Sequence, residues 1–339
     1  WDIETGERKP LDVSVESEHG IVALRFEAYQ SRLIVVGADS ADPEPEIPTV
    51  ELPIKGNWRI DLEDDNALRI DRFRMQVDPQ DRGQNQGWHT PAYADSKWVT
   101  VGAKPFSQQI RQSTPPSLPL GFESSHKGPN VSLPVIVWYR FGFQADVTPN
   151  KLALVKDRAA IQGNYQIFLN GTKLPNNSFR PTFRYDQNNL TCAIGRRVTK
   201  GKNTIAIRVE VEHLSDGLID AFYLFGKFGV RKWKTDGTRV GAVSERGPVA
   251  SLEGNRLPYY AGTVSYTHEM TIKKPTSKAF EIDLNNEFKD TEDVVEVLVN
   301  GHSLGARLWS PYQWVGQSSW IKAGKNRVTI RCTNTLSRL

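Results

Sequence analysis

The sequence predicts an all-β protein built of antiparallel β-sandwiches, and three observations lead there. Apolar and polar residues alternate with period two along several runs, the pattern of a half-buried strand, and helical periodicity is almost absent. Nine Trp, ten Tyr and fourteen Phe stand against two Met, and flat rings suit pleated surfaces whereas Met fills irregular cores. A turn-and-strand pattern also occurs twice in the same order, which predicts two related sandwiches. A length of 339 residues fits two or three units.

Taken in order, residues 1–53 read as a partial β-sandwich segment. Val13-Ser-Val-Glu, Gly20-Ile-Val-Ala-Leu and Leu33-Ile-Val-Val are strand-like but too few to close a core. The stretch Ala41-Asp-Pro-Glu-Pro-Glu-Ile-Pro then reads as a linker, because proline cannot donate to a ladder. Residues 54–240 form a long unit opened by Gly56-Asn-Trp-Arg, with strands around 135–143, 165–169 and 204–211. The Gln-, Gly-, Pro- and Ser-rich stretch 78–122 within it reads as loops outside the core. Residues 241–339 form a second, shorter unit with strands around 264–272, 294–299 and 327–332.

The repeat ties the two units together. Trp138-Tyr-Arg-Phe-Gly-Phe leads to Tyr165-Gln-Ile-Phe-Leu-Asn170-Gly171 and then to Lys200-Gly-Lys-Asn203; Val264-Ser-Tyr266 leads to Val295-Glu-Val-Leu-Val-Asn300-Gly301 and then to Ala323-Gly-Lys-Asn326. Asn-Gly between apolar alternations predicts a type I′ hairpin, since both residues tolerate positive φ.

Composition excludes several function classes. A net charge of +4 with basic residues scattered among acids argues against nucleic-acid binding. No apolar run approaches the ~20 residues of a bilayer span, and no charged-then-apolar leader is visible, so no membrane association is expected. Cys192 and Cys332 fall in different units, so buried free thiols are expected in place of a disulfide or a zinc site. Sequons begin at Asn130, Asn170, Asn176 and Asn189 and permit glycosylation in a eukaryotic secretory pathway.

At Ala94-Asp-Ser-Lys-Trp98, Trp138-Tyr-Arg140 and the two Asn-Gly hairpins, the sequence resembles the galactose-binding-like jelly rolls of glycoside hydrolase family 2 and its relatives. The resemblance implies two such jelly rolls. The start Trp1-Asp-Ile-Glu-Thr-Gly, the strand at Gly56, the run Tyr260-Ala-Gly-Thr-Val-Ser-Tyr266, and Leu304-Gly-Ala-Arg-Leu-Trp309-Ser-Pro-Tyr312 are similar to the post-catalytic region of glycoside hydrolase family 106, the α-L-rhamnosidase-like enzymes. In such enzymes the catalytic carboxylates sit on a (β/α)8 barrel, and this sequence lacks the eight alternating strand and helix units of one. The resemblance therefore implies a secreted or extracellular, non-catalytic carbohydrate-binding or accessory region, partnered by a catalytic (β/α)8 domain of the same polypeptide; the alternatives are sandwiches that purely brace that barrel or its oligomer and, less favoured, a self-contained glycosidase.

Candidate chemistry is limited. Glu210, Glu212, Asp216 and Asp220 form the one acid group worth weighing for glycoside hydrolysis, against a solvated strand and loop. The six His lack metal or triad spacing, and no cofactor is expected beyond a possible structural calcium held by loop oxygens. Sugar recognition asks for flat aromatic faces with planar amides, carboxylates and guanidinium groups. Arg184, Tyr185, Asp186 and Asn188 in one loop, and Trp309, Tyr312 and Trp314 in another, supply that mixture, with Trp88 and His89 as further candidates. For Trp309 and Tyr312, locking of the loop into the sandwich is the competing role.

Overall fold

A computed structural model describes residues 10–24, 26, 31–37, 49–52, 54, 56–112, 131–147, 151–233, 237–288, 291 and 293–334. The protein is nearly all β, and it divides into two compact units.

The first unit comprises Asp65–Val243 with Arg256–Tyr259. One of its sheets runs in the order Thr172–Leu174, Asn164–Leu169, Gly201–Val211, Val135–Ala145, Gly237–Gly241, Gly229–Trp233; Arg72–Asp78 pairs with the first half of Val135–Ala145 and carries Val99–Gly102 beside it. The facing sheet runs Arg180–Pro181, Asn189–Ala193, Leu152–Asp157, Phe222–Gly226, Asn66–Ile70. Inward residues of both, among them Val137, Tyr139, Ile207, Leu154, Leu224 and Leu68, make one core. Pairing is antiparallel except where Thr238–Val240 runs parallel to Phe143–Ala145.

The second unit comprises Trp1–Asp64, Ser244–Asn255 and Tyr260–Leu339. Its six-stranded sheet runs Arg246–Gly247, Trp58–Leu62, Thr263–Ile272, Gly324–Thr333, Val294–Val299, His302–Arg307, and a three-stranded sheet runs Gln313–Gln317, Ala279–Asp283, Thr49–Glu51. The sequence reading places the Gly56-Asn-Trp-Arg strand in the long unit; in the structure Leu62 pairs with Val264 and Ile60 with Tyr266, so that strand completes the short one. Thr49–Glu51 likewise joins the short unit, in parallel with Ala279–Glu281. Alternation reveals that a segment is a strand but not which sheet it enters. Among the described residues Ser14–Glu16 and His19–Ile21 pair only with each other, and the proposed linker, 41–48, lies outside those residues.

The repeat has a physical basis. Asn170 and Gly171 have φ of 50° and 85°, and Asn300 and Gly301 have 51° and 88°, the left-handed pair that a type I′ turn requires. In the first unit Asn170 Nδ2 donates to Asn203 Oδ1 at 2.7 Å and to Arg197 O at 3.0 Å, while Asn203 Nδ2 donates to the carbonyls of Thr199 and Gly201. In the second, Asn300 Nδ2 donates to Asn326 Oδ1 at 2.7 Å and to Trp320 O at 2.8 Å, and Asn326 Nδ2 to the carbonyls of Lys322 and Gly324. The hairpin and the later Gly-Lys-Asn turn are thus two halves of one buried amide network, built twice.

The stretch 78–122 is not confined to loops outside the core. Phe106–Gln112 is a helix whose Phe106 and Ile110 enter the main core, and Gln109 accepts a hydrogen bond from the Tyr139 hydroxyl at 2.7 Å. Residues 113–130 lie outside the described residues.

Candidate functional site

The Val135–Ala145 strand alternates across its sheet, so Tyr139 enters the core while Trp138 and Arg140 point to the outer side. There Trp88, Trp98, Trp138 and Phe168 form a separate apolar cluster. Trp88 lies edge-on to both Trp98 and Trp138, at 5.0 Å and 6.3 Å. Arg140 is 1% exposed and runs through the cluster, donating to Asp95 Oδ2 at 2.8 Å and to the carbonyls of Trp88, Thr90 and Tyr93. Asp95 and Trp98 belong to the Ala94-Asp-Ser-Lys-Trp98 motif, and Trp138 and Arg140 to the Trp-Tyr-Arg strand. The two motifs that are far apart in sequence therefore meet as one structural knot.

Several of the sequence candidates are packed inside the fold. Trp88 is buried and committed to packing, and His89 lies 5.1 Å from Phe168, with burial and the neighbouring Arg140 charge lowering its pKa. Tyr312 and Trp314 are also buried: the Tyr312 hydroxyl donates to Asp293 O at 2.8 Å and Trp314 Nε1 to Gly305 O at 2.9 Å. A ring already packed on both faces has none to offer a sugar. Trp309 is half-buried in the same loop.

Arg184 and Tyr185 are placed differently. Along Phe222–Gly226 the side chains of Phe222 and Leu224 point inward, leaving Tyr223 and Phe225 on the outer face of the five-stranded sheet, where Tyr223 is flanked by Arg69. The loop between Arg180–Pro181 and Asn189–Ala193 folds over them. Asn189 Oδ1 accepts the backbone N–H groups of Tyr185 and Asp186, both at 3.0 Å, and Asp186 Oδ1 accepts that of Asn188 at 2.7 Å. Asp186 and Asn188 thus shape the loop. The Tyr185 ring meets Tyr223 at 4.8 Å, and the Arg184 guanidinium lies 5.4 Å above Phe225 while pairing with Asp65 at 3.0 Å. Phe183 is 76% exposed and Tyr185 45%, so the outer face carries accessible aromatic surface.

Charged groups surround these rings. Burial first, then Tyr223, Asp220 and Asp157, pushes the Tyr185 hydroxyl above the usual phenol range; burial does the same to Tyr223 against the opposing pull of Arg69. Both phenols therefore stay protonated donors at neutral pH. Beside them is a depression of about 490 Å³ lined by Arg69, Asp71, Arg72, Lys104 and Asp220 among others. Sequence reading missed Tyr223, Phe225, Arg69 and Asp71. The run Phe222-Tyr-Leu-Phe225 held the signal: aromatic residues of both parities in one strand put a ring on each face.

The remaining acids have local roles. Asp216 Oδ2 accepts the N–H groups of Glu212 and His213 at 3.0 and 2.8 Å, and Glu210 accepts from Asn164 at 3.4 Å. Among the described residues no group of three or more His, Cys, Asp or Glu comes together to hold a metal. Cys192 and Cys332 are buried free thiols in different units. No described helix is long and apolar enough to cross a membrane.

No family model and no curated protein matches the chain. Among solved structures it is similar to an exo-chitosanase of Amycolatopsis orientalis, with 15% identity and a TM-score of 0.37 over 79% of this chain and 28% of that one. It is also similar to a Ruminococcus gnavus beta-glucuronidase, with 11% identity and a TM-score of 0.33 over 86% of this chain and 44% of that one. A Lactobacillus rhamnosus beta-glucuronidase gives 12% identity and a TM-score of 0.34 over 85% of this chain and 44% of that one. The chain spans less than half the length of each of these structures.

Proposed function

We propose that the chain is a non-catalytic carbohydrate-binding region of a large, secreted glycoside hydrolase of α-L-rhamnosidase-like kind, joined to a catalytic (β/α)8 domain in the same polypeptide. The observation that carries the reading is the outer face of the five-stranded sheet. Tyr185 and Tyr223 offer ring surface and neutral hydroxyl donors, and Arg69, Asp71 and Asp220 supply charged partners for hydroxyl pairs beside a depression of sugar size. The resemblance of the Asp95, Trp98 and Arg140 motifs to family 2 jelly rolls supports a glycoside hydrolase parent, and the likeness of the runs 260–266 and 304–312 to the rhamnosidase-like family supports its kind. Calorimetric titration with rhamnose- and galactose-containing pectic oligosaccharides tests it. Binding is expected, with Tyr223→Ala weakening it about tenfold, the equivalent of roughly 1.4 kcal/mol of lost contact. Silence across such a panel, or binding indifferent to Tyr223→Ala and Tyr185→Ala, overturns the assignment of this face.

A bracing role for the same chain is favoured by a different observation. Val13, Val15, Ile21, Phe26, Leu33 and Val36 are all exposed within one short stretch, Val36 to 93%. Such clustering marks a surface that another chain or domain covers. Replacing Val15, Phe26 and Val36 with Thr, Ser and Thr is expected to abolish association with a co-expressed barrel domain; association unchanged by all three sinks this role.

A further inference from the structure

We infer that the second unit carries its own pocket for an acidic saccharide, which takes the carboxylate of a uronate residue on Lys274 and Lys278. Where the chain enters the Ala279–Asp283 strand, a depression of about 710 Å³ is lined by Lys274, Ser277, Lys278, Gln317, Ser319 and Trp320. Both lysines are exposed, and among the described residues no carboxylate pairs with either ammonium. Two unneutralised cations in one concave site attract an anion.

The other walls suit a sugar ring. Trp320 is half-buried, and its ring is held parallel to His302, 5.0 Å away at an interplanar angle of 8°. Its carbonyl accepts from Asn300 Nδ2 at 2.8 Å, so the repeated amide network fixes the residue's position. In the first unit the corresponding carbonyl belongs to Arg197. Ser318 ties the two walls together by donating its backbone N–H to Lys278 O at 2.9 Å. Its hydroxyl, in a residue only 5% exposed at this pocket, has no partner of its own. Ser277, Gln317 and Ser319 add neutral groups for ring hydroxyls. Ammonium, hydroxyl and amide groups around an aromatic ring are the complement of a pyranose bearing a carboxylate, and a neutral sugar would leave both charges unused.

The inference rests on the carbohydrate reading above but concerns a different unit, and one experiment separates the two. Titrate the full chain with trigalacturonic acid, with galactotriose and with sodium sulfate at constant ionic strength. Trigalacturonic acid is expected to bind more tightly than either of the others. Lys274→Gln with Lys278→Gln is expected to weaken that binding by at least about tenfold while Lys274→Arg with Lys278→Arg retains most of it. Lys200→Gln, at an exposed lysine that lines neither depression, is expected to leave it unchanged. Equal binding of the acidic and neutral trimers, sulfate binding as tightly as the trimer, indifference to the glutamine pair, or an equal loss with Lys200→Gln each overturns the pocket. Loss of neutral-sugar binding alone overturns only the first-unit site. Near-ultraviolet circular dichroism of the variants confirms that the fold is retained.

Discussion

Lys156 shows most directly how one residue's surroundings set its chemistry. It is buried, with its Nζ over the rings of Tyr165 and Phe179 and a single carbonyl acceptor, Asp157 O, at 3.1 Å. Burial, partly offset by Asp157, lowers its pKa from the ordinary 10.5 to about 8. Because the folded value is the depressed one, the unfolded chain binds more protons between about pH 8 and 10.5, and stability rises with pH across that window. Below pH 8 the full cost of the buried charge persists. Lys156→Met is therefore expected to flatten the profile and to raise stability at pH 7 by roughly 2–3 kcal/mol, as measured by urea unfolding at a series of pH values. The duplicated asparagines make the opposite case. Asn203→Ala or Asn326→Ala removes an amide that donates twice and accepts at least twice, leaving buried carbonyls unpaired, with an expected cost of about 2–3 kcal/mol in the same assay. The network also bears on the sequons: Asn170 Nδ2 is engaged in two hydrogen bonds and Asn189 is buried, whereas Asn176 is exposed.

At the scale of elements, the outer knot around Arg140 depends on residues drawn from a loop and a strand. Removing the carboxylate in Asp95→Ala leaves a guanidinium that is 1% exposed without its ionic partner. The expected loss is about 2–4 kcal/mol, moderated by the remaining carbonyl acceptors and the partial exposure of Asp95. Thermal unfolding with a Trp98→Phe control distinguishes the charge effect from lost packing. The same loop-on-strand arrangement governs the candidate sugar face, where Asn189 holds the turn that lays Tyr185 on Tyr223. The loop's content of Arg, Tyr, Asp and Asn was legible in the sequence. Which of them point outward was not, because Asp186 and Asn188 satisfy backbone groups of their own turn.

At the scale of the whole molecule, domain boundaries follow strand pairing and not chain order. Residues 65–259 contain every strand of the first unit. A fragment of that span is expected to be soluble and to unfold cooperatively by calorimetry. Residues 241–339 lack Trp58–Leu62 and Thr49–Glu51, which leaves the outer edge of Thr263–Ile272 and one edge of Ala279–Asp283 unpaired. That fragment is expected to aggregate, and adding residues 49–64 to it through a flexible linker is expected to restore folding, as followed by light scattering. By itself the sequence determined the all-β class, the two hairpins and the kinship of the units, because period-two alternation and the need for positive φ at Asn-Gly are local properties. Only the tertiary structure decided that Trp58–Leu62 completes the later sandwich, that Trp88, Tyr312 and Trp314 are core, that Tyr223 meets Tyr185 on an outer sheet face, and that Lys274 lines an open depression. Burial and sheet membership are set by residues far away in the chain, and no local pattern encodes them.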